Sequence, residues 1–148
     1  RRRDAPPGVL KLDGPEALDT MLGEADFVIL TVPHTPATQG FMGRARFQRM
    51  KRSAFFINIV RGLTTLLDDL VAALRAGEIA GAALDVFEEE PLPAAHPLWT
   101  MPGVLITPHT AGYGPHLDER RFAIVMDNCR RFLAGEPLRN VVDKASWF

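Results

Sequence analysis

The sequence predicts an α/β protein built on a doubly wound parallel sheet, and two observations predict it. Phe27-Val28-Ile29-Leu30-Thr31-Val32 and Ala54-Phe55-Phe56-Ile57-Asn58-Ile59-Val60 are almost continuously apolar, the pattern of strands buried on both faces. These runs alternate with stretches whose apolar residues recur at helical spacing. Strand, helix, strand, helix, strand in a parallel sheet demands right-handed crossovers.

The elements follow in order. A short apolar run, Val9-Leu10-Lys11-Leu12, leads into a helix with Leu18, Met21, Leu22 and Ala25 on one face. The first buried strand, 27–32, ends at Pro33. Residues 43–50 read as a short basic helix, and 54–60 as the next strand. After Arg61-Gly62 comes an amphipathic helix with Leu67, Leu70, Val71 and Leu74 inward, and Gly77 sits where a left-handed helix stop belongs. Ala82-Ala83-Leu84-Asp85-Val86-Phe87 is the third strand. A loop with Pro91, Pro93 and Pro97 precedes a short strand at Val104–Thr107. A final helix from about Leu117 to Ala134 is expected to turn Phe122, Val125, Cys129 and Phe132 inward, and Gly135 stops it. The tail through Val141-Val142 is short and half apolar.

Composition sets the outer bounds. Of 148 residues, 47% are hydrophobic and 24% charged, enough apolar material to offset the entropy of ordering. Seventeen basic against eighteen acidic side chains leave a net charge of −1, which argues against a nucleic-acid or membrane-surface partner. No apolar run approaches the roughly 20 residues of a membrane-spanning helix. The single cysteine, Cys129, excludes an intrachain disulfide framework and fits a cytoplasmic protein. The four histidines show no metal-ligand spacing, so no metal site is expected. A G-x-S-x-G nucleophile elbow is absent as well.

In doubly wound sheets, ligands bind beyond the carboxyl ends of the strands. That rule selects Pro33-His34-Thr35, Arg61-Gly62, Asp85 to Glu90, and Pro108-His109. Arg61 emerges after seven mostly apolar residues, as a fork for a carboxylate or phosphate, or as half of a structural ion pair. Gly62 suggests a tight turn or a close backbone approach. His109 is a proton donor and acceptor if a carboxylate of Glu88-Glu89-Glu90 lies beside it, and otherwise a structural histidine. Asp85 ends an apolar strand and needs a partner, either a structural bond or an amide ligand. His34, His96 and His116 read as loop residues.

Four linked segments resemble the D-isomer-specific 2-hydroxyacid dehydrogenases. They are Val32-Pro33-His34-Thr35-Pro36-Ala37-Thr38, Asn58-Ile59-Val60-Arg61-Gly62, Gly81 through Pro93, and Thr107-Pro108-His109-Thr110-Ala111-Gly112, with Asn140-Val141-Val142-Asp143 in the tail. The resemblance implies a partial Rossmann-like dinucleotide-binding domain over residues 1–114, followed by a helix and tail, 115–148, that return to a substrate domain. It implies reduction of a small 2-oxo acid of the glyoxylate or hydroxypyruvate type to the D-2-hydroxy acid. Arg61 then grips the substrate carboxylate, His109 is the acid/base, and Glu90 is its carboxylate partner. Asp85 resembles the aspartate that binds the nicotinamide carboxamide. By position Val32, Pro33, Thr38, Ile59, Val60, Ala111 and Gly112, with Arg61 and His109, resemble cofactor-contacting residues.

No G-x-G-x-x-G occurs, and in this family that loop lies upstream of the match. The chain is therefore expected to be the C-terminal portion of a longer dehydrogenase that is homodimeric when full length, the portion alone being inactive. Arg2 and Arg3 then follow the strand where the cofactor ribose is read, which favours NADP over NAD. The rival readings are a dinucleotide-sensing binding protein, like the corepressors related to this family, and an inactive truncated product.

Overall fold

The computed structural model describes residues 7–9 and 14–145. Most of the run expected at 9–12 lies outside them, as do Arg2 and Arg3. The chain divides into two compact units, Arg1–Pro108 and His109–Phe148.

In the first unit, helix α1 (Leu18–Glu24) leads into strand β1 (Phe27–Leu30). Then come α2 (Arg44–Phe47), β2 (Phe55–Asn58), α3 (Leu67–Arg75), β3 (Gly81–Leu84) and β4 (Val104–Ile106). All four strands are parallel and lie in the order β1-β2-β3-β4. Registers run Phe27 to Phe55 to Gly81 at one end and Leu30 to Asn58 to Leu84 to Ile106 at the other. Gly77 takes φ +62° just past α3, which a Cβ would disfavour, and so ends the helix at the expected stop.

Strands laid down in one direction by right-handed crossovers carry every crossover on the same face. The core obeys this. Leu30, Phe56, Ala82 and Leu84 form one buried cluster with Leu22 of α1, Phe47 of α2 and Leu67, Leu70, Val71 and Ala73 of α3. Phe47 meets Phe56 edge-on at 5.3 Å between ring centres, a favoured aromatic geometry.

The same rule corrects the expectation that these strands are buried on both faces. Residues of opposite parity point away from the helices, and they are open: Phe27 is 63% exposed, Ile29 55% and Leu105 63%. Phe27 and Phe55 stack on that face, 5.8 Å apart. Uniform apolarity in a strand records a face that requires cover, and no helix of this unit's described residues lies on that side.

The second unit is built on α4 (Leu117–Ala134), closed by Gly135 at φ +67°. The tail folds back on the helix. Asn128 Oδ1 accepts from the Arg139 amide at 2.8 Å, and its Nδ2 donates to the Arg139 carbonyl at 3.1 Å. Asp127 takes Arg131 Nε at 3.0 Å and Arg139 Nη1 at 3.2 Å. The expected inward stripe is not inward: Phe122 is 65% exposed, Val125 57%, Phe132 75%, and Cys129 is exposed too. Helical spacing identifies a stripe but not what it meets, and within this unit the tail engages the polar side. Among the described residues no helix is long and apolar enough to cross a membrane.

The packing sets up two tests. In the 148-residue polypeptide, Phe47→Ala should cost about 3–5 kcal/mol, whereas Phe27→Ala should change urea stability by under about 1 kcal/mol. The second concerns Asp127, whose carboxyl is held below its ordinary value of 3.8 by the Arg131 hydrogen bond first and the Arg139 bond next. A lowered folded value means the contribution is complete above pH 3.8 and fades as the pH falls through the folded value. An acid titration followed at the Arg139 amide by NMR should show tail release only below that range, and Asp127→Asn should remove the transition.

Candidate active site

The parallel sheet brings its four carboxyl ends to one edge, and the selected residues of the first unit lie along it. After β1, Pro33 is exposed and Val32 half-buried. The loop is tied by Thr38, whose Oγ1 donates to the Pro33 carbonyl at 2.7 Å and accepts from the Thr35 amide at 2.8 Å. His34, expected to be a solvated loop residue, is half-buried, with Nε2 out of solvent and no hydrogen-bond partner among the described residues. His96 caps a short 3-10 turn, its Nδ1 accepting from the Leu98 amide at 3.3 Å.

After β2 the chain turns around Asn58, which is fully buried. A buried amide must find partners, and this one finds them within the next seven residues. Oδ1 accepts from the Val60 amide at 3.1 Å, and Nδ2 lies 3.2 Å from the Arg61 carbonyl, 3.3 Å from Thr64 Oγ1 and 3.0 Å from Thr65 Oγ1. Ile59 is 43% exposed and Val60 half-buried. Arg61 is exposed at the top of the turn, with Nη1 donating to the Val60 carbonyl at 2.6 Å.

Gly62 is buried and explains the tightness of this region. A Cβ there would land on the main-chain carbonyl of Phe87 and lie 2.5 Å from the Glu88 nitrogen. The close backbone approach expected at this glycine is thus present, and it presses the Arg61 turn against the segment leaving β3.

That segment carries the acids. Asp85 is 3% exposed; Thr107 Oγ1 donates to its Oδ1 at 2.6 Å, and its amide donates to the Asn58 carbonyl at 3.0 Å. Glu88 is committed elsewhere, accepting from the Leu67 amide at 3.2 Å at the start of α3, where a carboxylate also suits the helix dipole. Glu90 is exposed, and its Oε1 accepts from the Phe87 amide at 3.0 Å. Glu88 and Glu90 of the acidic run therefore accept from different backbone amides.

His109 opens the second unit, exposed and at φ +54°, in the left-handed region that few non-glycine residues occupy. Thr110, Ala111 and Gly112 beside it are exposed. His116 is exposed with Nδ1 3.7 Å from Glu119. No cluster of three metal-ligating side chains occurs among the described residues.

Sequence patterning alone assigns no role to Asn58 as a buried amide, nor to Thr64, Thr65 and Thr107. A signal for the first is nevertheless there: one amide inside a seven-residue apolar strand requires buried partners, and Thr64-Thr65 follow closely.

A one-directional parallel sheet with polar groups gathered at its carboxyl edge defines a Rossmann-like ligand-binding domain. Residues 7–111 match the model of the D-isomer specific 2-hydroxyacid dehydrogenase, NAD binding domain, and the chain belongs to that family. It is 40% identical over 136 residues to glyoxylate/hydroxypyruvate reductase A of Yersinia enterocolitica, covering 92% of this chain and 43% of that protein. A D-isomer specific 2-hydroxyacid dehydrogenase from Xanthobacter autotrophicus, solved with NADPH and MES, superposes with a TM-score of 0.90 at 42% identity, covering all of this chain and 60% of that one. The NADPH-dependent glyoxylate/hydroxypyruvate reductase of Sinorhizobium meliloti, solved with NADP and sulfate, gives 0.88 at 36% identity, covering all of this chain and 48% of that one. The chain thus spans less than half the length of the curated relative.

The Gly62 contact yields a sharp contrast. Gly62→Ala should lower stability by about 3 kcal/mol or more, because main chain cannot yield as a side-chain tip can. Gly112→Ala, where a Cβ meets nothing within 4 Å, should shift it by less than about 0.5 kcal/mol. Denaturant melts of the two variants check this.

Proposed function

We propose that this chain belongs to an NAD(P)-dependent reductase that converts a small 2-oxo acid, of the glyoxylate or hydroxypyruvate type, to the D-2-hydroxy acid. The observation that carries the reading is the exposed Arg61 guanidinium on a buried, hydrogen-bonded turn that packs directly on the backbone leading to Glu90. The named activities of the Yersinia and Sinorhizobium relatives support the substrate class. The NADPH and NADP complexes of two of the solved relatives support NADP as the cofactor, in line with the preference expected from Arg2 and Arg3 in the sequence.

The residues at the sheet edge fit the nicotinamide end of such a cofactor. Asp85 is a buried carboxylate fixed by Thr107, the chemistry that would orient a carboxamide N–H, and Val32, Pro33, Thr38, Ile59 and Val60 line neighbouring strand ends. When bound, the cofactor supplies the hydride. The protein supplies the rest. Arg61 offers parallel N–H donors to the substrate carboxylate and so fixes which face of the 2-oxo carbon is presented. His109 gives a proton to the carbonyl oxygen as negative charge develops there. Glu90 is the carboxylate that the family motif pairs with that histidine. Ala111 and Gly112, small residues after the histidine, leave room for the cofactor.

In the full-length protein, His109→Gln should lower kcat for glyoxylate reduction by about 10²–10⁴-fold while leaving the NADPH Kd within about twofold. Arg61→Lys keeps the charge and loses the fork, so KM for glyoxylate should rise by about tenfold to a hundredfold. Steady-state kinetics with fluorescence titration of NADPH check both. A wild-type protein without glyoxylate or hydroxypyruvate turnover overturns the reading.

A further inference from the structure

We propose that Asn58 is a positioning residue for substrate binding, acting on the substrate carboxylate through Arg61; the inference rests on the carboxylate-anchoring role proposed above for Arg61. Its basis is how the Arg61 main chain is held. The Arg61 carbonyl lies within reach of three donors: Asn58 Nδ2 at 3.2 Å, Thr64 Oγ1 at 2.6 Å and the Thr64 amide at 3.2 Å. The Val60 amide, which enters the same peptide segment from the other side, is held by Asn58 Oδ1 at 3.1 Å. One buried side chain therefore grips the peptide that enters Val60 and the peptide that leaves Arg61, holding the Val60-Arg61 pair between them.

Three features make this more than a structural bond. The Arg61 side chain is exposed and bonds its own backbone, through Nη1 and the Val60 carbonyl, rather than another side chain among the described residues. Its direction is therefore set by the main chain rather than by side-chain packing. Asn58 is also the last residue of β2, and its own carbonyl accepts from the Asp85 amide at 3.0 Å, so the clamp is registered to β3. Finally, the amide matches its surroundings in both directions: an acceptor faces an N–H and a donor faces a carbonyl. Neither a carboxylate nor an aliphatic side chain of similar size can do both.

A guanidinium fork recognises a carboxylate only when its plane is correctly aimed, and small displacements at such anchors are costly. Loosening the turn at the Arg61 carbonyl should weaken the hold on substrate, and Thr64 makes that bond without holding the Val60 amide. Thr64 belongs to the same clamp on the Arg61 carbonyl. Thr65, which is equally buried, bonds Asn58 but makes no described bond to Arg61. That difference separates positioning from stability.

The test uses the full-length protein with NADPH and glyoxylate. Asn58→Ala and Thr64→Val should each raise KM for glyoxylate by about five- to twentyfold, Thr64→Val with the NADPH Kd within twofold, whereas Thr65→Val should leave KM within twofold. In an Arg61→Lys background, Asn58→Ala should add less than about a twofold further rise, since the group it aims is gone. Should Asn58→Ala fail to fold, the Thr64→Val and Thr65→Val pair in both backgrounds carries the same comparison. An equal KM rise from Asn58→Ala or Thr64→Val in the Arg61→Lys background overturns the inference. So does a lowered melting temperature with KM unchanged. Wild-type turnover with unaffected variants sinks this inference alone; absence of wild-type turnover sinks the proposed function and this inference together.

Discussion

Parallel pairing constrains everything else in the first unit. Two parallel neighbours cannot be joined by a tight turn, so each step from β1 to β4 requires a crossover, and handedness sends each crossover to the same side. From that one restriction come the placement of the buried cluster on a single face, the gathering of the strands' carboxyl ends on a single edge, and the exposure of Phe27, Ile29 and Leu105 opposite. The candidate site is not an added feature of the fold. It is the edge where the parallel strands all stop and where the backbone must turn away.

Along that edge, the buried side chains of Asn58 and Asp85 are matched before any ligand is considered. Asn58 is enclosed by its own following turn and Asp85 is held by Thr107. Such groups would be expensive to bury without partners, so their pairing fixes local geometry as well as stability. Arg61 and Glu90 of this unit and His109 of the other are exposed. The division between buried and exposed groups runs within a single motif: Asn58 and Arg61 are three residues apart.

Much of this was legible in the sequence. Each sheet strand was identified within a few residues, because a short β-branched and aromatic run set between helical periods packs well only as a strand. Gly77 and Gly135 marked their helix ends, and Gly62 its close approach, because absence of a Cβ is a local requirement that a sequence displays directly. What remained hidden involves surroundings rather than residues. Ile29 reads the same whether its face is covered or bare, and the Phe122, Val125 and Phe132 stripe of α4 reads the same whether it meets a core or solvent. The clamp at Asn58 was missed for another reason. Its partners lie two, three, six and seven residues on, a set of spacings that belongs to no regular element and becomes meaningful only once the turn is folded.

The open face of the sheet has a thermodynamic meaning of its own. Phe27 and Phe55 stack there, and Ile29 and Leu105 are exposed on the same face, so anything apolar that lies on these side chains binds the folded unit and not the unfolded chain. By mass action, such binding adds to stability in proportion to the logarithm of its concentration. The melting temperature of this unit is then a property of its company as much as of its sequence. Dilution, a mild detergent or a covering segment of polypeptide each moves it without altering a single internal bond.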